Sequence, residues 1–559
     1  MKSEKSDGLH VRHSSTDPLA SVALTVVCAL TACGGDSSFE HAAYAPGQIA
    51  RSPNGMVVSG SPLATEAGVS MLEAGGNAID AAVATAFALS VVEPTMSGLG
   101  GRTQLLIRTA DGTFDAIDGT TQIPAHPPPA GDAREEGYTT IAVPGTVAAL
   151  ALAQQRHGRL PLADVMETAI TLAEEGFRLP DPEATRLAAI AARLSAYEGT
   201  RQYFLAVDGS AIPAGARLVQ SDLARVLRAI AQDGPGVFYR GWIADSIAAD
   251  MARNGGTVTR EDLATYEALP SRVVRDDYRG VEIVGTYLPA SGATVIEALN
   301  ILEQFDLRGR AGSAEWIALT TRALLASFED RVREFDDPAA HAALLVSDDW
   351  AAVRASEIGG PNAPGVAAGP PETREPEHTT HLTVADRTGA VVALTQSVGP
   401  TMGSRVVTPG LGFVYAATMG YLAEVPPGGR PFSSQAPLVV VADGVPVLAL
   451  GGAGARRILS AVVEVVSRVV DGRVVLADAM AAPRFHPTPD TVYVEDRARA
   501  AWPDSILADL SDLGYSIALR SSAPYFARIH GVAFDPAEGI WTGVADPRWH
   551  GAAGAPRHR

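Results

Sequence analysis

Helical and strand periodicities alternate along this chain. Ser61-Pro62 supplies an N-cap and a first-turn proline, and apolar residues at Leu63, Ala67, Val69 and Leu72 follow at helical spacing. Gly75-Gly76 stops that helix, and Asn77 caps the next, an Ala-rich run from Ala78 to Val92. The run carries Asp80 and falls short of the roughly 20 residues that a membrane span needs, so it predicts a buried helix. Period-two alternation follows at Gln104–Arg108 and Phe114–Ile117, with Asp111-Gly112 as the hairpin signal between them. Residues 145–265 are mostly amphipathic helix, as at Leu162–Glu175. Such alternation favours an α/β layering over an all-helical protein.

The pattern breaks at residues 357–377, which are rich in Pro, Gly and Ala and lack apolar periodicity, so an exposed loop is expected. Short strands start directly after it. His378–Asp386 and Ala390–Ser397 alternate and are joined by Arg387-Thr388-Gly389, a three-residue hairpin loop with Gly389 left-handed. This loop pairs Asp386 with Ala390, which sets Ala393 opposite Thr383, Thr395 opposite His381 and Ser397 opposite Thr379. Opposed residues hold their Cβ atoms roughly 4.5–5.5 Å apart, within reach of a Thr379–Ser397 hydroxyl contact. A hydroxyl on the first residue of a strand, preceded by a loop and backed by a second hydroxyl, suits an N-terminal nucleophile. Taken alone, the segment reads as an ordinary threonine-rich hairpin, because Thr is common in strands.

Composition narrows the chemistry. A chain of 559 residues, 47% hydrophobic, has ample material for a large core. A formal net charge of -19 opposes nucleic-acid binding. Lysine occurs only at Lys2 and Lys5, so no lysine Schiff base or lysine general base is available in the folded body. Leu19–Leu30 is an apolar stretch preceded by Lys2, Lys5 and Arg12, and it reads as an export signal. It ends in Leu30-Thr31-Ala32-Cys33, which resembles a bacterial lipobox; an ordinary signal peptide cut nearby is the alternative. Residues 1–32 are then a signal peptide and 33–50 a flexible tether, with Cys33 lipidated in the cell envelope and the lipid as the sole membrane contact. Acylation of Cys33 leaves no free thiol for a nucleophile, a disulfide or a metal site. G-x-S-x-G and H-E-x-x-H are absent, and His126, His157 and His486 lack ligand spacing, so neither metal nor cofactor is expected.

A collinear series of motifs carries a family resemblance. Gly55-Met56-Val57-Val58, Pro62-Leu63-Ala64 and Gly75-Gly76-Asn77-Ala78-Ile79-Asp80 come first. Glu93-Pro94 with Ser97-Gly98-Leu99-Gly100-Gly101, and Val143-Pro144-Gly145-Thr146, come next. Thr379-Thr380-His381 with Asp386 and Gly389 follow, then Arg430-Pro431-Phe432-Ser433-Ser434, Gly451-Gly452-Ala453-Gly454, Ala482-Pro483-Arg484-Phe485-His486 and Asp546-Pro547-Arg548. Over residues 51–550 this series resembles the gamma-glutamyltranspeptidase family.

The resemblance implies an N-terminal-nucleophile hydrolase built as a four-layer αββα sandwich. It implies self-cleavage between His378 and Thr379 into a large subunit, residues 51–378, and a small subunit, residues 379–559. Thr379 is the implied nucleophile, its freed α-amine the base, and Ser397, in place of a family threonine, the orienting hydroxyl. The backbone N–H groups of Gly454 and Ala455 are the implied oxyanion hole, with Ala455 standing where the family has Gly. The substrate would be a small-molecule or peptide amide. The substrate pocket departs from the pattern. Thr120, in Ile117-Asp118-Gly119-Thr120-Thr121, stands where the family has the Arg that grips an α-carboxylate. In the segment that holds the α-amino group, Thr418 stands on the substrate-binding stretch and Tyr421 replaces the ammonium-binding carboxylate, while Gly399 replaces an Asn. Ser433 and Ser434 are kept. Arg102 reads as a surface residue, with a substitute pocket charge as the alternative. Three functions follow: a gamma-glutamyl amidase or transferase, an acylase or peptide hydrolase with another acyl group, and an inactive lipid-anchored binding protein of the same fold.

Overall fold

The computed structural model describes residues 44–129, 131–333, 335–360, 378–420, 422, 425–497, 500–522 and 525–557. Cys33, Tyr421 and most of the predicted loop lie outside them. Two seven-stranded sheets carry the fold. Their strands, in chain order, are β1 (Ile49–Ser52), β2 (Gly55–Ser59), β3 (Arg102–Arg108), β4 (Phe114–Gly119), β5 (Leu269–Pro270), β6 (Val273–Tyr278), β7 (Val281–Thr286), β8 (His378–Asp386), β9 (Val391–Gly399), β10 (Leu438–Ala442), β11 (Val445–Ala453), β12 (Arg528–Asp535), β13 (Ile540–Ala545) and β14 (Ala552–Gly554). The first sheet runs β14-β2-β8-β9-β3-β4-β5 and the second β1-β13-β12-β11-β10-β7-β6.

Three apolar layers separate the four structural ones. Leu382, Val384, Val392 and Leu394 point from the first sheet into helices α1 (Pro62–Glu73), α2 (Ala78–Val92) and α3 (Asp181–Leu194). Leu438, Val440, Leu448 and Leu450 point from the second sheet into α4 (Gly292–Glu303), α5 (Ala314–Arg331) and α6 (Arg457–Val470). Between the sheets lie Met56, Val58, Ala385 and Val391 against Val439, Ala449, Val532 and Trp541. This is the αββα sandwich, and strand alternation decides which residues see which layer. With Leu382 and Val384 facing the helices, His381 and Thr383 face the opposite sheet, where Thr383 Oγ1 donates to the His530 carbonyl at 2.9 Å.

The expected helices form where their signals lie. Asn77 Oδ1 accepts from the N–H groups of Ile79 and Asp80 at 3.0 and 3.1 Å, and Asp80 accepts from the Asn77 N–H at 2.7 Å, a complete capping box. Every residue of α2 is buried. Ser61 precedes Pro62 as expected but makes no side-chain cap bond; its carbonyl accepts from Ser59 Oγ at 3.0 Å.

Two boundaries differ from expectation. Residues 44–50 are docked to the body: Tyr44 donates to the Ala477 carbonyl at 2.6 Å, and Ile49 begins β1, paired with Val544. A four-residue edge strand is too short to show a period in the sequence. The helix Asp348–Ile358 runs into the start of the predicted loop, since its Ser347 cap and Trp350 outweigh the Gly-rich sequence that follows.

Candidate active site

The hairpin β8–β9 adopts the register that its loop dictates. Thr379 pairs with Ser397, His381 with Thr395 and Thr383 with Ala393. Asp386 N–H donates to the Ala390 carbonyl at 3.0 Å and Gly389 has φ +82°. The pairing slips by one residue beyond Thr379, so His378 sits opposite Gly399 and Val398 is bulged out.

A chain of hydroxyls results at the start of β8. Thr379 Oγ1 donates to Ser397 Oγ at 3.1 Å, and Ser397 Oγ donates to the His378 carbonyl at 2.9 Å. The Gly399 N–H donates to the same Ser397 oxygen at 3.0 Å, from a backbone with φ +95° that favours glycine. Ser397 therefore ties together the Thr379 hydroxyl and the carbonyl of the peptide bond before it. Two residues on, His381 is held by Thr395 Oγ1 at 2.8 Å and Thr383 Oγ1 at 3.0 Å. Burial first, then the nearby His530, holds the His381 imidazole well below its usual pKa and neutral. Burial and the cations Arg528, Arg186 and Arg457 do the same for His378.

The opposite sheet delivers Gly454 and Ala455. A Cβ on Gly451 would stand 2.3 Å from His381 Cε1, so glycine lets β11 pass directly over the β8 strand. Further along β11, Ala453 pairs with Arg528 on β12. Gly454 (φ +140°) and Ala455 (φ +59°) then turn the chain into α6, whose N-terminal dipole adds positive potential behind their N–H groups.

Both positions thus lie in the left-handed region, and Ala455 occupies it without a glycine's freedom. Gly454→Ala is expected to lower stability by about 2 kcal/mol, because the strained φ adds to a contact of 2.8 Å with Ala527 Cα. Ala455→Gly is expected to stay within about 0.5 kcal/mol of the parent, since relief of strain offsets the added unfolded-state entropy. Chemical unfolding of the two variants checks the pair, and equal losses in both would refute it.

The pocket substitutions fall around β3, β4 and the segment after β9. Thr120 is fully buried and turned inward, accepting from Gln104 Nε2 at 2.8 Å. Its neighbour Thr121 instead meets Thr418, with the hydroxyls 3.1 Å apart. Asp118 is engaged by Arg430 at 2.7 Å. Arg102 corrects the sequence reading: it is 1% exposed, pairs with Ser397 across β3–β9 and donates to the Ala417 carbonyl at 3.5 Å. Its burial comes from having β9 on one side and β4 on the other, with the segment after β9 across it. Ser433 is buried and donates to Gln435 Oε1 at 3.0 Å, while Gln435 Nε2 donates to the Thr395 carbonyl at 2.7 Å. Gln435 thereby fastens the Ser433 segment to β9, a role that nothing in Ser433-Ser434-Gln435 signals by spacing. Ser434, beside it, is half-buried.

Comparison with known proteins agrees with this architecture. The family model for gamma-glutamyltranspeptidase matches residues 64–555. The chain is 33% identical to the glutathione hydrolase proenzyme of Escherichia coli K12 over 541 residues, covering 89% of this chain and 91% of the relative. It is 35% identical to the acylase ACY 1 proenzyme of Pseudomonas sp. V22, covering 88% and 91%. The crystal structure of the cephalosporin acylase from Bacillus halodurans superposes with a TM-score of 0.84 at 29% identity, covering 91% of this chain and 97% of that one. Sheet order, the register of the β8–β9 hairpin and the family match converge: the chain belongs to the gamma-glutamyltranspeptidase family and has the N-terminal-nucleophile hydrolase fold.

Proposed function

We propose that this protein is a self-processing amide hydrolase or acyltransferase whose nucleophile is Thr379, freed by cleavage after His378. The observation that carries the reading is the bridge from Thr379 Oγ1 through Ser397 Oγ to the His378 carbonyl oxygen. Ser397 polarises that carbonyl while orienting the hydroxyl that attacks it. In the first step the Thr379 Oγ–C bond forms, the C–N bond breaks, and the hydroxyl proton ends on the departing α-amine. Water then splits the ester, leaving His378 as one carboxyl end and Thr379 as a new amino end. That amine, with a reference pKa of about 7.7–8.0, takes the Oγ proton when a substrate amide is attacked. The N–H groups of Gly454 and Ala455 receive the oxyanion, worth roughly 3–4 kcal/mol per donor in other enzymes.

The acyl group accepted is one without the amino-acid zwitterion. Thr121 and Thr418 offer neutral hydroxyls to each other, and Asp118 is committed to Arg430. Tyr421 supplies no carboxylate for an ammonium. This favours acylase-type specificity over a gamma-glutamyl donor. The chain is exported and lipidated on Cys33, a reading supported by the Leu30-Thr31-Ala32-Cys33 sequence. Among the described residues no helix is long and apolar enough to cross a membrane.

The test uses protein lacking residues 1–33. Intact mass is expected to show two pieces meeting at His378 and Thr379. The cut protein is then given the p-nitroanilides of gamma-glutamate and of its desamino counterpart, glutarate. The desamino donor is expected to turn over at least tenfold faster. Faster release from the gamma-glutamyl donor would return the protein to glutathione-type specificity. A chain that stays whole and turns over neither donor would make it a binding protein of this fold.

A further inference from the structure

Residues 428–435 cross from the first sheet to the second beside the acyl pocket. Past the end of β4, the Gly428 N–H donates to the Ile123 carbonyl and the Ile123 N–H to the Gly429 carbonyl, both at 2.9 Å. Past the end of β7, the Ser433 N–H donates to the Pro289 carbonyl at 2.7 Å, and Ser291 Oγ to the Ser433 carbonyl at 2.8 Å. Thr121, which meets Thr418, lies at the first of these anchors, and Gln435 ties the far end to β9. Phe432 stands in the span between the anchors and is 39% exposed.

A second exposed ring stands on the same rim. Arg331, the last residue of α5, holds its guanidinium 5.9 Å from the centre of the Phe432 ring. Four residues on, Phe335 is 37% exposed and stacks on His341, with ring centres 4.1 Å apart and 13° between the planes. His341 is buried and fixed at both nitrogens, by the Tyr287 hydroxyl at 2.8 Å and the Asp330 carbonyl at 3.1 Å. Phe335 therefore rests on a rigid support. Among the described residues these are the two exposed phenylalanines, and Val332, between Arg331 and Phe335, is exposed as well. Single exposed apolar side chains need no explanation, but three gathered around one cation mark a binding surface. Arg331 is only 8% exposed, so this surface meets solvent with apolar rings rather than with charge.

We propose that Phe432 and Phe335 line a subsite for the outer end of the acyl group, and that this end is an aromatic ring. The inference rests on the acylase reading above. Phe432 and Ser433 are neighbours in one crossing segment, which joins the subsite to the acyl side. The pocket hydroxyls of Thr121 and Thr418 bond to each other, leaving contacts further out to select the acyl group. A ring arriving there packs on Phe432 and Phe335 and shares the field of Arg331, contributions that an alkyl end cannot match. These contacts are alike in the bound substrate and in the transition state, so they act on KM rather than on kcat.

Turnover of the p-nitroanilides of 4-phenylbutyrate, 4-cyclohexylbutyrate and butyrate by the cut parent tests this. The phenyl donor is expected to exceed the butyryl donor in kcat/KM by about tenfold and the cyclohexyl donor by about threefold, with the gain in KM. Phe432→Ala is expected to lower the phenyl-to-butyryl ratio by about fivefold, and Phe432→Tyr to keep most of it. Self-cleavage, read by mass, reports whether each variant has folded. Should Phe432→Ala fail to fold, Phe335→Ala takes its place with the same expected loss. Equal kcat/KM on the phenyl and butyryl donors, or a ratio that survives both alanine changes, overturns the subsite while leaving the acylase reading intact. A cyclohexyl donor as good as the phenyl one overturns the aromatic class. Dimers in sedimentation that Phe432→Ala abolishes would give the surface to a second copy of the chain instead. A cut parent that turns over the gamma-glutamyl donor alone removes the acylase reading and the subsite together.

Discussion

Thr379→Ala is expected to leave the chain in one piece and to abolish amide hydrolysis. No neighbouring hydroxyl stands ready to replace it. Thr380 points to the other face of β8, where its Oγ1 lies against Gly60 and Glu93. Ser397 is committed to the His378 carbonyl and, being inside β9, has no free amine beside it. Ser397→Ala removes the polarising donor and the orienting partner at once, so self-cleavage and turnover are both expected to fall about 10²–10³-fold. Ser397→Thr keeps the hydroxyl and should recover most of both. Time courses of intact mass, with p-nitroaniline release from the matured fraction, read the two effects separately. A Thr379→Ala chain that still divides at the same bond would move the nucleophile elsewhere.

The largest stability effect is expected at Asp546. It receives Arg484 at 2.7 Å and Arg548 at 3.4 Å, and accepts the backbone N–H of Ile529 at 2.8 Å and of Arg548 at 2.9 Å. Arg548 reaches on to Glu495 at 2.6 Å, and all four side chains are buried. Burial alone would raise the Asp546 pKa, but Arg484, Arg548 and the two N–H donors hold it well below the usual carboxylate range. Removing one partner of such a network strands the others, so Asp546→Ala should cost about 3–5 kcal/mol. Its folded pKa lies below the unfolded reference of about 3.9, so its contribution is complete above that value and is lost as the pH falls toward the folded one. Urea unfolding from pH 7 to pH 3 is therefore expected to show a loss of stability below about pH 4 that is shallower in Asp546→Asn. A cost below about 1 kcal/mol at pH 7 would mean that the network contributes little. The damage should also reach the site, because Ala527, beside the Arg528–Ile529 strand, packs beneath Gly454.

The β8–β9 hairpin was legible because few residues determine it. A three-residue loop with glycine last sets one register, and a slip by one residue would send every side chain to the wrong layer. The α2 helix was legible for a similar reason, with its cap and its stop both local. Arg102 was not. An arginine at the start of a strand is usually solvated, and what covers it is β4, β9 and the segment after β9, the last more than 300 residues further on. The meeting of Arg331 with Phe432 was equally hidden, since it joins a helix end and a loop with no common spacing. Family resemblance points to Thr120 and Thr418 but not to their partners: Thr120 accepts from Gln104, and Thr121 meets Thr418.

With the proposed cut after His378, β8 lies between β2, from before it, and β9, from after it, and the second sheet likewise mixes both portions. Each portion alone would expose unpaired strand edges through the middle of both sheets. The two pieces therefore belong to one cooperative folding unit, and the chain has to reach its final shape before it divides. Synthesised separately, the halves would meet as aggregation-prone partners rather than as subunits, and once formed together they would not exchange with those of another molecule.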